Sequence, residues 1–366
     1  MSALAALRDR GVRAGLGAAA LFGGATPLAA LLLGSTSPWM LAALLYLGSG
    51  LGLFAYRRIT RAARVRLPRA DLPWLVGAVV SGGVAGPVLL MLGLTGMPAS
   101  DASLLLTSEG AFTALIAWVV FRENVDRRVA LGFVLIMLGA ALLAVPAGSS
   151  GPAGSGSGAG AGTVAAPGAV WPALAVLAAC ALWAVDNNLT RRVSLTDETW
   201  LAAVKGAVAG TVNLGLALLT GSALPALPVL LAAGALGLVS YGISLVLFVV
   251  ALRDLGVART GAYFSVAPFV GASLAVLLGD PPSWRLVVAG ALMGAGVWAH
   301  LAERHEHEHL HPAITHAHRI LPDEHHRGLL GPVAPGADPA APRQHQHPSV
   351  RHTHRHYPDA HHRHEH

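Results

Sequence analysis

The sequence predicts an all-α polytopic membrane protein of ten transmembrane helices, arranged as a 5+5 inverted-topology repeat. Three observations lead there. Of 366 residues, 54% are hydrophobic and only 12% are charged, where a soluble domain carries about 25% charged residues. Apolar runs of the roughly 20 residues that a bilayer core demands recur along the chain. The arginines fall in every second gap between those runs. The formal charge of +6 is therefore a record of membrane orientation and no sign of nucleic-acid binding. The single cysteine, Cys180, excludes a disulfide framework and a multi-cysteine zinc site.

The apolar runs lie at about 14–33, 38–56, 72–94, 100–121, 127–145, 169–189, 199–220, 227–251, 258–279 and 284–302. Arg8, Arg10 and Arg13 precede the first run as in a signal peptide, but more spans follow at once, so an uncleaved first span is expected. The N-terminus and the 57–69, 122–128, 191–198 and 253–259 loops hold sixteen arginines, and the alternate loops hold one, Arg285. The positive-inside rule then places both termini in the cytoplasm of a cell with a multi-pass protein in its cytoplasmic membrane. Agreement of the two ends needs an even number of spans. Residues 146–168, rich in Gly, Ser, Ala and Pro, read as a flexible external linker. They separate a first five-span half, 1–145, from a second, 169–302, and residues 303–366 form a tail.

The halves match at an offset of 158 positions. "SEGAFTALIAWVVF" (108–121) meets "VAPFVGASLAVLLG" (266–279), Arg127 meets Arg285, and Gly132 meets Gly290. Five is odd, so the second copy enters the membrane upside down, and the charge has moved accordingly: "RENVDRR" becomes "DPPSWR", and "TGMPAS" becomes "RDLGVAR". Inverted repeats with broken helices place a binding site near the midplane in many secondary transporters.

Polar groups inside apolar runs are the candidate site. Glu109 lies mid-span in "LLLTSEGAFTALIAW" (104–118), where a charge costs about 2.5–3.5 kcal/mol on insertion scales. Asp186, Asn187 and Asn188 lie toward the cytoplasmic end of span six. Lys205, the one lysine of the chain, lies about two turns into span seven and shares a helix face with Asn213. Lys205 could also snorkel or pair with Asp186, and Asn213 could join two helices. Pro87 after Gly82, Gly83 and Gly86, the Gly110 position, and Pro268 opposite it mark expected helix breaks lining a cavity. Gly290 and Gly294 read as a close-packing pair.

Ten spans in two halves, with an acid mid-span-four and Arg122-Glu123 at its end, resemble the drug/metabolite transporter superfamily, EamA type. The resemblance covers about 14–302. It implies a secondary transporter of a small organic solute, working by alternating access and without an enzymatic step. Family members commonly carry Glu-Pro in span four, where this chain has Glu109-Gly110, while the second half keeps the proline as Ala267-Pro268 without the acid. Within that frame Glu109 is expected as proton carrier or cation site, with Lys205 paired to it or to a substrate carboxylate. Asp186, Asn187 and Asn213 are expected as polar contacts.

All eighteen histidines fall at position 300 or later. His305, His307, His309, His311, His316, His318, His352, His354, His356, His361, His362, His364 and His366 sit in His-x-His or His-His spacings within a low-complexity tail expected to lack regular structure. Imidazole suits zinc, nickel, cobalt and copper, so the tail is a candidate metal-binding segment. Transport itself needs no cofactor. A metal-handling transporter is thus the rival reading, although no histidine lies within the spans. A non-transporting scaffold is a second rival, weakened because it gains nothing from a buried acid and lysine. A serine–lysine membrane enzyme is a third, weakened because no serine shares the Lys205 face one turn away. A homodimer is compatible with the sequence.

Overall fold

The computed structural model describes residues 9–65, 67–121, 127–145, 170–193, 197–255 and 257–301, with four short strands beyond them. The 146–168 linker, Arg122, Glu123, His305, His356, His361, His362, His364 and His366 lie outside the described residues. The chain divides into two units, Met1–Glu303 and Arg304–His366.

Among the described residues, ten apolar helical segments build the first unit. Nine of those described are long and apolar enough to cross a membrane: Arg10–Leu33, Pro38–Ile59, Arg69–Leu94, Ala99–Val120, Arg127–Ala144, Trp171–Thr190, Glu198–Leu219, Leu227–Leu252 and Thr260–Leu277. The tenth, Trp284–Ala299, is shorter. They are spans one to ten below. Helices are the form in which such a chain satisfies its backbone without water. Span one starts earlier than hydropathy suggests because Asp9 caps it, accepting from the amides of Gly11 at 2.8 Å and Val12 at 3.1 Å. Ser37 caps span two ahead of Pro38, which needs no donor at a first helical position. Apolar side chains fill the interior and also cover the outer surface, where Leu219, Leu277 and Ile59 are more than 80% exposed, while Lys205 and Asp186 are turned inward.

The repeat is visible in the irregularities. Span three winds into a π-helix at Val79–Ala85, and span eight does so at Leu238–Ile243. Span four breaks at 106–107 between Ala99–Leu105 and Ser108–Phe121, and span nine breaks at 265–266 between Val257–Phe264 and Ala267–Leu277. Both pairs lie close to the 158-residue offset. Packing obeys the same relation. Spans two and seven, four and nine, and five and ten pack together, and each pair maps onto itself when the halves are exchanged. Spans one and eight pack together, and so do their counterparts, six and three.

Spans two and seven approach most closely at glycine. A methyl group on Gly206 would lie 2.9 Å from the Gly50 backbone, and one on Gly50 would strike Ala207. Gly290 and Gly294, expected to pack tightly, make only ordinary contacts with Leu104 and Phe269, because their faces meet side chains. In spans five and ten the tight contact is instead Gly296 against the Gly132 carbonyl and Ile136. Arg285, the exception to the charge asymmetry, acts locally, as its guanidinium donates to the carbonyls of Leu142 and Val145 at the end of span five.

The two ends of the central pair are held differently. At the arginine-rich end, the buried Arg57 guanidinium donates to Asp197 at 2.5 Å, to Thr199 at 2.7 Å and to the Ala63 carbonyl at 2.8 Å. At the other end, the Ser37 hydroxyl donates to that of Ser222 at 2.8 Å. Burial raises the Asp197 carboxyl, but donation from Arg57, Thr199 and the Trp200 amide outweighs it and holds the group well below the usual carboxylate range.

The second unit is described by its backbone alone. Glu306–His311 pairs antiparallel with Val350–Arg355, and Ile314–His318 with Arg343–His347. The sequence reading expected no regular structure there. The difference has a physical source, since alternation with a period of two, as in "HEHEHLH", is the pattern of a strand.

Two measurements test this packing. Gly206→Ala should lower thermal stability in detergent by about 1–3 kcal/mol, the usual cost of overpacking. Gly215→Ala, at a site with nothing within 4 Å, should be neutral or stabilising by up to about 1 kcal/mol. Equal effects would refute the close approach of spans two and seven. For Asp197, the depressed folded-state value means that its contribution is complete above the unfolded value of about 3.9 and fades as pH falls below it. The difference in melting temperature between wild type and Asp197→Asn should hold constant from about pH 7 to 5 and narrow toward about pH 3. A constant difference throughout would dissociate the Arg57 contact from the stability of the fold.

Candidate functional site

The break in span four creates a helix start inside the membrane, and Glu109 lies in its first turn. The positive end of a helix dipole favours a carboxylate there. The Glu109 side chain is half-buried, and its Oε1 accepts from Asn187 Nδ2 at 2.8 Å. Thr113 donates to the Glu109 carbonyl at 2.9 Å and stands 3.4 Å from the same Asn187 amide. Asn188, adjacent on span six, donates to the Ala184 carbonyl at 2.8 Å and reaches the Thr113 carbonyl at 3.4 Å. The Cys180 thiol lies 3.5 Å from the carbonyl of Leu105, the last residue before the break. Span six thus supplies the polar groups that an interrupted span four needs.

One residue back along span six, Asp186 binds Lys205. The ammonium lies 2.5 Å from Oδ1 and 2.7 Å from Oδ2, and Thr190 donates to Oδ1 at 2.8 Å. Lys205 therefore neither snorkels nor pairs directly with Glu109, as one sequence expectation had it. Hydropathy reports depth, whereas pairing depends on which way each helix faces. Asp186 is correspondingly more than a polar contact: it is the counter-ion of Lys205. Span three makes room for it. A Cβ on Gly82 would collide with the Asp186 carboxylate.

Gly82 lies within the π-helical segment, where the regular ladder is disturbed. Its carbonyl accepts from Tyr46 Oη at 2.9 Å and from Trp183 Nε1 at 2.8 Å. The next carbonyl, of Gly83, accepts from Asn213 Nδ2 at 3.1 Å. Asn213 is fully buried and spends its amide on this π-helix, so it belongs to the scaffold of the site and not to its open face. Asn187, by contrast, is exposed. Tyr46 continues into a chain of rings through Tyr241, Phe22, Phe264 and Phe248, with centroids 4.9–5.8 Å apart.

The expected breaks need adjustment. Pro87 follows the π-helix and opens the helix Gly86–Leu94, and Pro268 opens Ala267–Leu277. Gly110 is not itself a break. It is helical and exposed, three residues beyond the interruption at 106–107. Thr113 is one of the hydrogen-bond partners that the sequence offers Glu109, whereas Tyr46, Trp183 and Thr190 were missed by the sequence reading. Each could have been found only as a donor awaiting an acceptor, because no motif marks them.

The repeat does not extend to this chemistry. At the 158-residue offset, Glu109 corresponds to Ala267, Asp186 to Leu28, Asn187 to Ala29, Lys205 to Leu47 and Asn213 to Ala55. The scaffold has two copies and the charged site has one. Among the described residues of the membrane unit, no group of three or more His, Cys, Asp and Glu is placed to hold a metal ion.

Comparison with known proteins agrees with the fold. The model of the EamA-like transporter family matches residues 9–145 and 170–301. An uncharacterized transporter of Methanothermobacter thermautotrophicus is 30% identical over 293 residues, covering 76% of this chain and 82% of its own length. A probable terminal-alkyne amino-acid exporter of Streptantibioticus cattleyicolor is 31% identical over 243 residues, covering 64% of this chain and 74% of its own. One solved crystal structure of a protein matches at a TM-score of 0.56 and 22% identity, covering 80% of this chain and 96% of the other, which bears on the fold alone. A repeated family match over both five-span halves, on a scaffold of paired π-helices and broken spans, identifies the chain as a membrane transporter of the EamA-like transporter family.

Proposed function

We propose that the protein carries a small zwitterionic organic solute, of the amino-acid type, by ion-coupled alternating access. The observation that carries this reading is the placing of Asp186 and Asn187, neighbours on span six, against Lys205 on one side and Glu109 on the other. The cluster contains two carboxylates and one ammonium, which complement the two charges of a zwitterion. A solute carboxylate can take the place of Asp186 on Lys205, so the ammonium is paired before and after binding. The solute ammonium then meets Glu109, or the released Asp186. Exchange of partners avoids the cost of a bare charge in a low-dielectric site. The relative named as a probable terminal-alkyne amino-acid exporter supports the same substrate class. Glu109, held by a neutral amide, is the group that can take up and release a proton between the two access states.

The arginine asymmetry supports an orientation with both termini in the cytoplasm and the 146–168 linker outside. Metal binding and dimer formation are not required by this reading.

Reconstituted vesicles loaded with labelled amino acids provide the test. Glu109→Gln should fold and insert normally and should lose at least tenfold in pH-gradient-driven transport, equivalent to about 1.4 kcal/mol. Full activity at matched abundance would make Glu109 a structural group. Lys205→Met should be destabilised by about 3–5 kcal/mol because it strands Asp186. Asp186→Asn combined with Lys205→Met should restore much of that stability without restoring transport. Transport by the double variant would reduce the ion pair to a packing device and remove the basis for a zwitterionic substrate.

Orientation is tested separately. Reporters fused after residue 160 should read external, and those after residues 65, 195 and 366 cytoplasmic. A cytoplasmic signal at residue 160 would reverse the assignment.

A further inference from the structure

The second unit holds the chemistry that the membrane unit does not. In its first ladder, His307 stands opposite His354 and His309 opposite His352. Directly opposed residues share a face of an antiparallel pair, as do residues two apart on one strand. These four histidines therefore occupy one face, together with His311 and Val350. The other face carries Glu306, Glu308 and Leu310 in register with Arg355, Thr353 and Arg351. The ladder thus separates its residue types cleanly, with histidines on one side and the acidic and basic residues on the other. The alternation in "HEHEHLH" and "RHTHRH" is what this register turns into two distinct faces.

We propose that the face formed by His307, His309, His352 and His354 is a binding site for one imidazole-preferring divalent transition metal, of the zinc, nickel, cobalt or copper class. Opposed Cβ atoms in such a ladder lie about 4.5–5.5 Å apart, and successive positions on one face lie about 6.5–7 Å apart. Metal–nitrogen bonds run to about 2.0–2.1 Å. Four histidine positions on a rectangle of that size are the juxtaposition that a metal of the imidazole-preferring class calls for. The arginines of this ladder occupy register positions on the opposite face, so no cationic residue shares the histidine face.

The second ladder is a weaker competitor. It opposes only one histidine pair, His316 with His345, while His318 is in register with Arg343 and His347 with Ile314. A guanidinium beside a cation site is repulsive, and isoleucine offers no donor. Register therefore selects four of the thirteen candidate histidines. It also gives the metal a structural consequence, because one ion would join two strands that are distant in the chain, and binding would then be coupled to formation of the ladder. Imidazole must be neutral to bind, so occupancy should fall as pH drops below about 6.5.

The test uses the full-length protein in lipid nanodiscs, titrated with Zn²⁺ and separately with Ni²⁺ by calorimetry at about pH 7.5. Wild type should show one tight site above a weaker background from the remaining histidines. The combined variant His307→Gln, His309→Gln, His352→Gln and His354→Gln should bind at least tenfold more weakly at that site. A control with His361, His362, His364 and His366 changed to Gln removes as many imidazoles and should keep it. Equal loss in the two variants would mean that histidine number matters and register does not. Retention of the tight site in the first variant, or its absence from wild type, would likewise overturn the assignment.

Discussion

A charge inside a bilayer has to be matched by another charge, and much of the site follows from that constraint. Lys205 and Asp186 meet at 2.5 Å on neighbouring spans. Removing water from two separate ions costs several kcal/mol each, and only close pairing with further hydrogen bonds offsets it. Thr190 supplies one such bond. Gly82 supplies the space, since any side chain there would occupy the position of the carboxylate. Having no side chain, Gly82 also leaves the π-helix of span three open to close approach. Its carbonyl becomes an acceptor for Tyr46 and Trp183. The ion pair, the glycine and the π-helix thus form one arrangement spread over spans two, three, six and seven.

The second acid obeys the same constraint by another route. Glu109 has no lysine against it. It has a helix start, an amide from Asn187 and a half-exposed position. A dipole and a neutral donor stabilise a carboxylate less than an ammonium does, and they do so with less dependence on its charge. That difference separates the two acids by their surroundings: one is paired with Lys205, and the other is held by a neutral amide.

Depth along a helix is legible in a sequence, and rotation about its axis is not. Runs of apolar residues and the alternation of arginines disclosed ten spans, their two halves and the depth of Glu109, Asp186 and Lys205. Which of the two acids faces Lys205 depends on how spans four, six and seven turn toward one another. That is set by contacts such as Gly82 against Asp186, between residues 104 positions apart. The helix interruptions were legible in kind and misplaced in position for a related reason. Proline and glycine mark where a helix can be irregular. Pro87 and Pro268 in fact begin the regular helix that follows, as expected of a residue without an amide donor. The irregular turn lies just before each of them. In the tail, composition alone suggested no order, and the period-two alternation within it carried the better signal.

Symmetry of scaffold combined with asymmetry of chemistry recurs at the ends of the molecule. Spans two and seven exchange places under the repeat, and Gly50 against Gly206 marks their closest approach. Ser37 and Asp197 occupy equivalent places ahead of these two helices, and each caps its own. Yet Ser37 reaches across to a hydroxyl, whereas Asp197 reaches to a buried guanidinium. A neutral hydrogen bond contributes about 0.5–1.5 kcal/mol and a charged one about 1.5–3 kcal/mol. The rocking that the proposed alternating access calls for would therefore break unequal bonds at its two ends. Two equivalent halves would place the two access states at equal energy. Under the alternating access proposed above, a single arginine–aspartate pair would remove that degeneracy, just as a single set of charges at the centre removes the equivalence of the halves there.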